Sequence, residues 1–173
     1  MVLILTAAYL ATIVAANWAL DRWGIVPVGF GLAAPAGVYF AGLTFGLRDA
    51  LHETTGRRWV LAAIAAGTVL SALVDPQLAV ASGAAFAVGE LADLAIYEPL
   101  RRRQWPVAVA VSNLAGSILD SVLFLALAGL PLVLWRGQVL GKAYMIAAAL
   151  PVVWWSRRHR RAVPRYRLNR AGT

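Results

Sequence analysis

The stretch from Ser82 to Leu100, SGAAFAVGELADLAIYEPL, limits what the chain can fold into more than any other. It is apolar enough to lie in a lipid bilayer, yet Glu90 and Asp93 stand in its middle. A carboxylate at the centre of a bilayer costs about 2.5–3.5 kcal/mol on insertion scales, so such groups face a bundle interior, pair with a partner or line a pathway. On a helix, Ser82, Phe86, Glu90, Asp93 and Tyr97 recur at steps of three and four and share one face. Ala84, Val88, Leu91 and Ala95 occupy the other face, which suits lipid or helix packing. A helix of this kind needs neighbours that cover its acids.

The rest of the chain supplies them. Of 173 residues, 61% are hydrophobic and 14% charged, against roughly 25% charged in soluble domains. The apolar excess runs along the whole length, and the mean hydropathy is +0.70. These features predict an all-α, polytopic membrane bundle of about six transmembrane helices. Residues 1–155 form the single bundle domain and residues 156–173 a basic cytoplasmic tail. There is no cysteine, so no disulfide framework and no thiolate metal site are expected. A pI near 11.0 could signal nucleic acid, but the basic residues sit between apolar runs, the usual cytoplasmic bias of membrane proteins.

In chain order, the first span is expected over Val2–Leu20, with Ala7, Ala11 and Ala15 as a small-residue stripe for close helix contact. Asn17 lies near its end. The Gly- and Pro-rich segment Gly24–Pro35 reads as a turn followed by a late-starting helix. Span two is expected over Phe30–Leu51. In it Gly42 and Gly46 form a GxxxG pair, and Phe45, Asp49 and Glu53 share a face. Gly56 ends it, and His52 reads as a solvated interfacial residue. Span three runs over Trp59–Val74 and is broken by Asp75-Pro76. Span five, Trp105–Ala128, aligns Asn113, Ser117, Asp120 and Phe124, the natural partner of the Glu90/Asp93 face. Gly129–Gln138 reads as a connection, and span six runs over Val139–Trp155.

With six spans and both termini inside, 13 of the 16 Lys and Arg residues fall on the cytoplasmic side, Arg48 among them. Arg22, Arg136 and Lys142 fall outside, so the positive-inside rule is met in every loop.

Asn17, Phe45, Asp49, Glu53, Phe86, Glu90, Asp93, Asn113 and Asp120 are thus the candidate substrate-binding residues. A carboxylate facing a planar heterocycle can accept from its N–H edge, and Phe45, Phe86, Tyr97 and Phe124 can stack on its faces. A small, flat, nitrogen-rich solute fits this lining. An anion does not, because no matching Arg or Lys clamp is expected. Arg48 is the one basic residue placed to reach the acids in the membrane, with snorkelling to the interface as the alternative. The chain has no nucleophile elbow, no HExxH and no P-loop. An enzyme is therefore not expected, nor is a catalytic residue, cofactor, metal or nucleic-acid partner. The expected partners are this flat solute, which the family resemblance given below narrows to a purine-like base, and membrane lipids, with either a homo-oligomer or an energising partner subunit left open.

Three segments, LTFGLRDALHETTGRR, VASGAAFAVGELADLAIYEPLRRR and VSNLAGSILDSVLF, resemble in order and spacing the signature segments of the VUT family. This is also called the queuosine-precursor transporter family. The resemblance covers about residues 15 to 130. It implies a six-span inner-membrane importer of 7-deazaguanine bases. It also implies that Asn17, Thr44, Phe45, Asp49, Glu53, Gly56, Ser82, Ala85, Glu90, Asp93, Ser112, Asn113, Asp120 and Ser121 match the family's motif positions. Proton coupling is one expectation. The other is a substrate-binding subunit of an ECF-type importer, docked through the Ala7/Ala11/Ala15 stripe.

Overall fold

The computed structural model describes residues 1–74 and 79–162. The predicted break at Asp75-Pro76 and the tail beyond Ala162 lie outside the described residues. Six α-helices occur: α1 (Val2–Trp23), α2 (Val38–Thr55), α3 (Arg57–Val74), α4 (Ala79–Leu100), α5 (Trp105–Leu127) and α6 (Trp135–Ala162). Among the described residues, four stretches are long and apolar enough to cross a membrane: Val2–Trp23, Val80–Leu100, Trp105–Leu127 and Leu132–Arg158. The fold class is that of a helical membrane bundle.

Between α1 and α2 the chain makes a hairpin, not the late-starting helix expected there. Strands β1 (Ile25–Gly29) and β2 (Leu32–Pro35) pair antiparallel. Phe30 and Gly31 between them both have positive φ, 51° and 70°, as primed hairpin turns require. Ile25, Val26 and Val28 favour extended backbone, and Pro27 and Pro35 oppose a helix through the segment. The hairpin packs on the starts of α2 and α6, where Val28, Ala34 and Val38 form a small core with Leu140 beside it.

The centre of the bundle is α2, although it carries Arg48, Asp49 and Glu53. It packs against α1, α3, α5 and α6, and its buried positions run almost without a gap from Thr44 to Glu53. The GxxxG pair explains how it gets close to α6. A Cβ on Gly42 would lie 2.6 Å from both the Cα and the carbonyl oxygen of Lys142, and one on Gly46 would meet Ala149. On the other side of this seam, a Cβ on Gly141 would lie 2.8 Å from Val38. A second close seam joins α4 to α5. There a Cβ on Gly89 would strike Asp120, and one on Gly116 would lie 2.8 Å from the Cβ of Asp93. Small residues thus let backbones approach, and the approach brings acidic and basic side chains together. An apolar core closes the remainder, built from Leu5, Tyr9 and Ile13 of α1, Leu47 and Leu51 of α2, Val60 and Ile64 of α3, and Leu94 of α4.

Gly56, with φ 89°, ends α2 as expected. On α4, Ser82, Glu90, Asp93 and Tyr97 are buried while Val88, Leu91 and Ala95 are exposed, the two faces read from the sequence. Helix α6 starts at Trp135, within the expected connection, and continues past Trp155 to Ala162. Ser156 is buried, and Arg157 donates to the carbonyl of Arg101 at 3.1 and 3.2 Å.

Candidate functional site

The polar residues of the interior fall into three layers along the bundle axis. The first is a cavity of about 100 Å³. It is formed by the C-terminal halves of α1, α3 and α5 with the N-terminal halves of α2, α4 and α6. It therefore lies in the half of the bundle remote from the loops that hold Arg57, Arg58 and Arg101 to Arg103. Asn17, Phe45, Phe86, Glu90 and Asp120 all line it, so five of the expected site residues meet in one place. Thr44, Ser71, Ser82, Phe124, Gln138 and Lys142 complete the polar and aromatic wall. Phe86 leans on Tyr9 with ring centroids 6.2 Å apart. Asn17 donates to the carbonyl of Ile13 at 3.3 Å, and Thr44 shares a 2.9 Å hydrogen bond with Thr12 of α1.

Among the described residues, three buried polar atoms of this wall have no hydrogen-bond partner: Ser82 Oγ, Glu90 Oε1 and Gln138 Nε2. Buried polar groups in native proteins are as a rule satisfied. These three atoms of the cavity wall are free to engage a polar guest.

The second layer lies behind the cavity and centres on Arg48. Its guanidinium donates from Nε to Glu90 at 3.0 Å and forms ion pairs with Asp49, 2.8 Å from Nη1, and with Asp93 beside Nη2. All four side chains are 0–1% exposed. Asp49 accepts a further 3.0 Å bond from Asn113, whose amide also donates to the carbonyl of Val109 at 2.8 Å. Asp49, Asp93 and Asn113 therefore do not line the cavity. They fix the guanidinium that orients Glu90, which belongs to both layers: Oε2 faces Arg48 and Oε1 is unpartnered.

The third layer closes the arginine-rich end. Glu53 Oε1 accepts from the Tyr97 hydroxyl at 2.8 Å and from Arg101 at 2.9 Å, with Arg157 at 3.7 Å. Trp105 donates to the Tyr97 hydroxyl at 3.3 Å. One carboxylate thus ties α2 to the ends of α4 and α6. Tyr97, expected to stack on a solute, stands here and not at the cavity. His52, expected in solvent, is buried with its ring 5.6 Å from that of Tyr97.

Of the two places open to Arg48, the interface and the interior acids, the structure shows the second: three carboxylates on α2 and α4 hold it in the interior. Lys142, expected outside, is 1% exposed and lines the cavity, where it pairs with Asp120 and donates to Ser121 at 2.8 Å. The interior therefore does hold cations, and a lone-pair acceptor on a guest can find a donor. Gln138 and Lys142 were the residues sequence reasoning missed. The available signal was the chain's single lysine, four residues after Gln138 and followed by the apolar run AYMIAAAL.

Residues 72–156, about half of the chain, match the family described as putative vitamin uptake transporter, the family that the sequence segments resemble. The matched region holds the Glu90, Asp93, Asn113, Asp120, Gln138 and Lys142 side of the interior. No curated protein and no solved structure matches. That family and the apolar helices support a membrane transporter.

Proposed function

We propose that the chain is a six-span inner-membrane importer of a small, flat, nitrogen-rich solute, a queuosine precursor of the 7-deazaguanine type. One observation carries this reading. Phe45, Phe86 and Phe124 share a small cavity with Glu90, whose Oε1 is buried and unpartnered. Aromatic faces stack on any planar base, and a carboxylate accepts from the N–H edge of a guanine-like ring. The cavity, about 100 Å³, is far below the roughly 300–1,000 Å³ of drug-sized pockets, which favours a free base over a nucleoside. With both termini in the cytosol, the cavity belongs to the outer half of the bundle and Glu53 closes the inner end. This is the arrangement of an importer waiting for solute. Protons are the proposed coupling ion, because Arg48 is surrounded by more carboxylates than it can neutralise.

Purified protein in liposomes is the test. It accumulates a radiolabelled 7-deazaguanine base, unchanged, against its gradient when a proton gradient is applied. Glu90→Gln and Asp120→Asn insert and fold but lose uptake. Uptake at the wild-type rate by both variants refutes the site.

A second reading is favoured by one feature of α1. Ala7 and Ala11 are exposed on its outer face, in line with exposed Leu3, Val14 and Trp18. A partner helix can dock closely there, as an energising subunit would. Co-purification of an ATPase module with the chain, together with no uptake by the chain alone, would select this reading over the first.

A further inference from the structure

The reading above uses the acceptor side of the cavity and leaves its donor side without a task. The donor side comes from α6. Gln138 is 4% exposed, lines the cavity, and its Nε2 has no partner among the described residues. One helical turn on, Lys142 also lines the cavity. Its ammonium carries three N–H donors, and Asp120 and Ser121 take two of them. Residues four apart lie on one helix face, so an unused amide donor and an unused ammonium donor stand together. The glycine seams hold them in place. Gly141 gives Val38 room, Gly42 lies against the backbone of Lys142, and Gly137 against the carbonyl of Ala33. An unmade hydrogen bond on a buried donor is costly, so the wall has a use.

We infer that Gln138, supported by Lys142, is a specificity-determining residue that reads a lone-pair acceptor on the bound solute, an exocyclic carbonyl, while Glu90 reads its N–H donors. This deepens the proposed importer and rests on it. The substrate class becomes lactam-type heterocycles with adjacent donor and acceptor groups. Heterocycles that offer only donors, or only a ring nitrogen and an amine in the adenine pattern, are excluded. Gln138 discriminates because a site built to donate to a carbonyl leaves its donor unpaired when that carbonyl is missing.

The test is equilibrium binding of two ligands, 7-deazaguanine and its 6-thio analogue, to the purified wild type and to Gln138→Leu. The thio analogue keeps every N–H donor and replaces the carbonyl oxygen by a weak acceptor. Wild type is expected to prefer the oxo ligand by roughly tenfold, the scale of one hydrogen bond. In Gln138→Leu that preference falls to about one, through weaker oxo binding alone. Thio binding is unchanged, which also shows that the variant is folded. Gln138→Glu keeps the shape, loses the donors and is expected to lose the preference as well. An oxo preference retained in both variants overturns the inference and leaves the importer reading standing. Failure of the wild type to bind either ligand overturns both.

Discussion

Replacing Arg48 by methionine removes the cation that three buried carboxylates surround. The structure sets the scale of the effect. Arg48 is 0% exposed, and Asp49, Glu90 and Asp93 around it are 0–1% exposed, so water cannot replace the lost guanidinium. Removing one partner of a buried ion pair costs about 3–5 kcal/mol. Each kcal/mol corresponds to about 2–4 °C in Tm for a chain of this size, so Arg48→Met is expected to lower Tm by roughly 6–20 °C. Seven tryptophans make intrinsic fluorescence in detergent a direct assay. The cost comes from stranded carboxylates, not from lost packing. Neutralising two of the three, in the triple variant Arg48→Met/Glu90→Gln/Asp93→Asn, should therefore recover part of the loss, as neutral replacement of buried ion pairs does elsewhere. A single-variant drop under about 2 °C, or a triple variant no more stable than the single, refutes the reasoning.

Gly42→Val should drive α2 from α6, since a Cβ there already lies 2.6 Å from the Lys142 backbone. Overpacking of this kind costs about 1–3 kcal/mol, and ligand binding should weaken because Lys142 moves. Gly83→Ala is the contrast: its nearest neighbour would be 3.5 Å away, and thermal melting should show no loss. Glu53→Gln loosens the closed end. Hydrogen exchange should speed up at the C-terminal turns of α4 and α6 and stay unchanged around the cavity; uniform exchange across the bundle contradicts the clamp.

The helices were legible because their apolar runs are long, and the two faces of α4 because burial follows a period of 3.6. The GxxxG pair on α2 was visible as a motif, but its partner was not. Only the fold shows that it seats Lys142. The hairpin stayed hidden because IVPVGFGLAAP is as apolar as a span, and hydropathy does not separate short strands from a helix. The turn signal was GFG, with glycines on both sides of Phe30. Arg48 was counted with the cytoplasmic charges, with its pairing to the interior acids left open, and Lys142 was placed outside, because a count of positive charges by loop treats every Lys and Arg as a marker of the membrane edge. That rule fails when the bundle offers carboxylates. Asp49, Glu90, Asp93 and Asp120 in the interior had to be matched by something. The chain's composition held that imbalance, but only packing decides which cation comes inside. The same limit applies to Asp49, Asp93 and Asn113, whose helix faces were right and whose depth, behind the cavity, depends on the α4–α5 crossing at Gly89 and Gly116.

The absence of cysteine makes thiol labelling clean. Ala41 lines the cavity and Ala50 is fully buried in the core. In intact cells, Ala41→Cys is predicted to react with a membrane-impermeant thiol reagent and to be protected by 7-deazaguanine, while Ala50→Cys stays unlabelled. Labelling of Ala41→Cys that is blocked only from the cytoplasmic side, or that the base does not slow, would contradict an outward-facing substrate cavity.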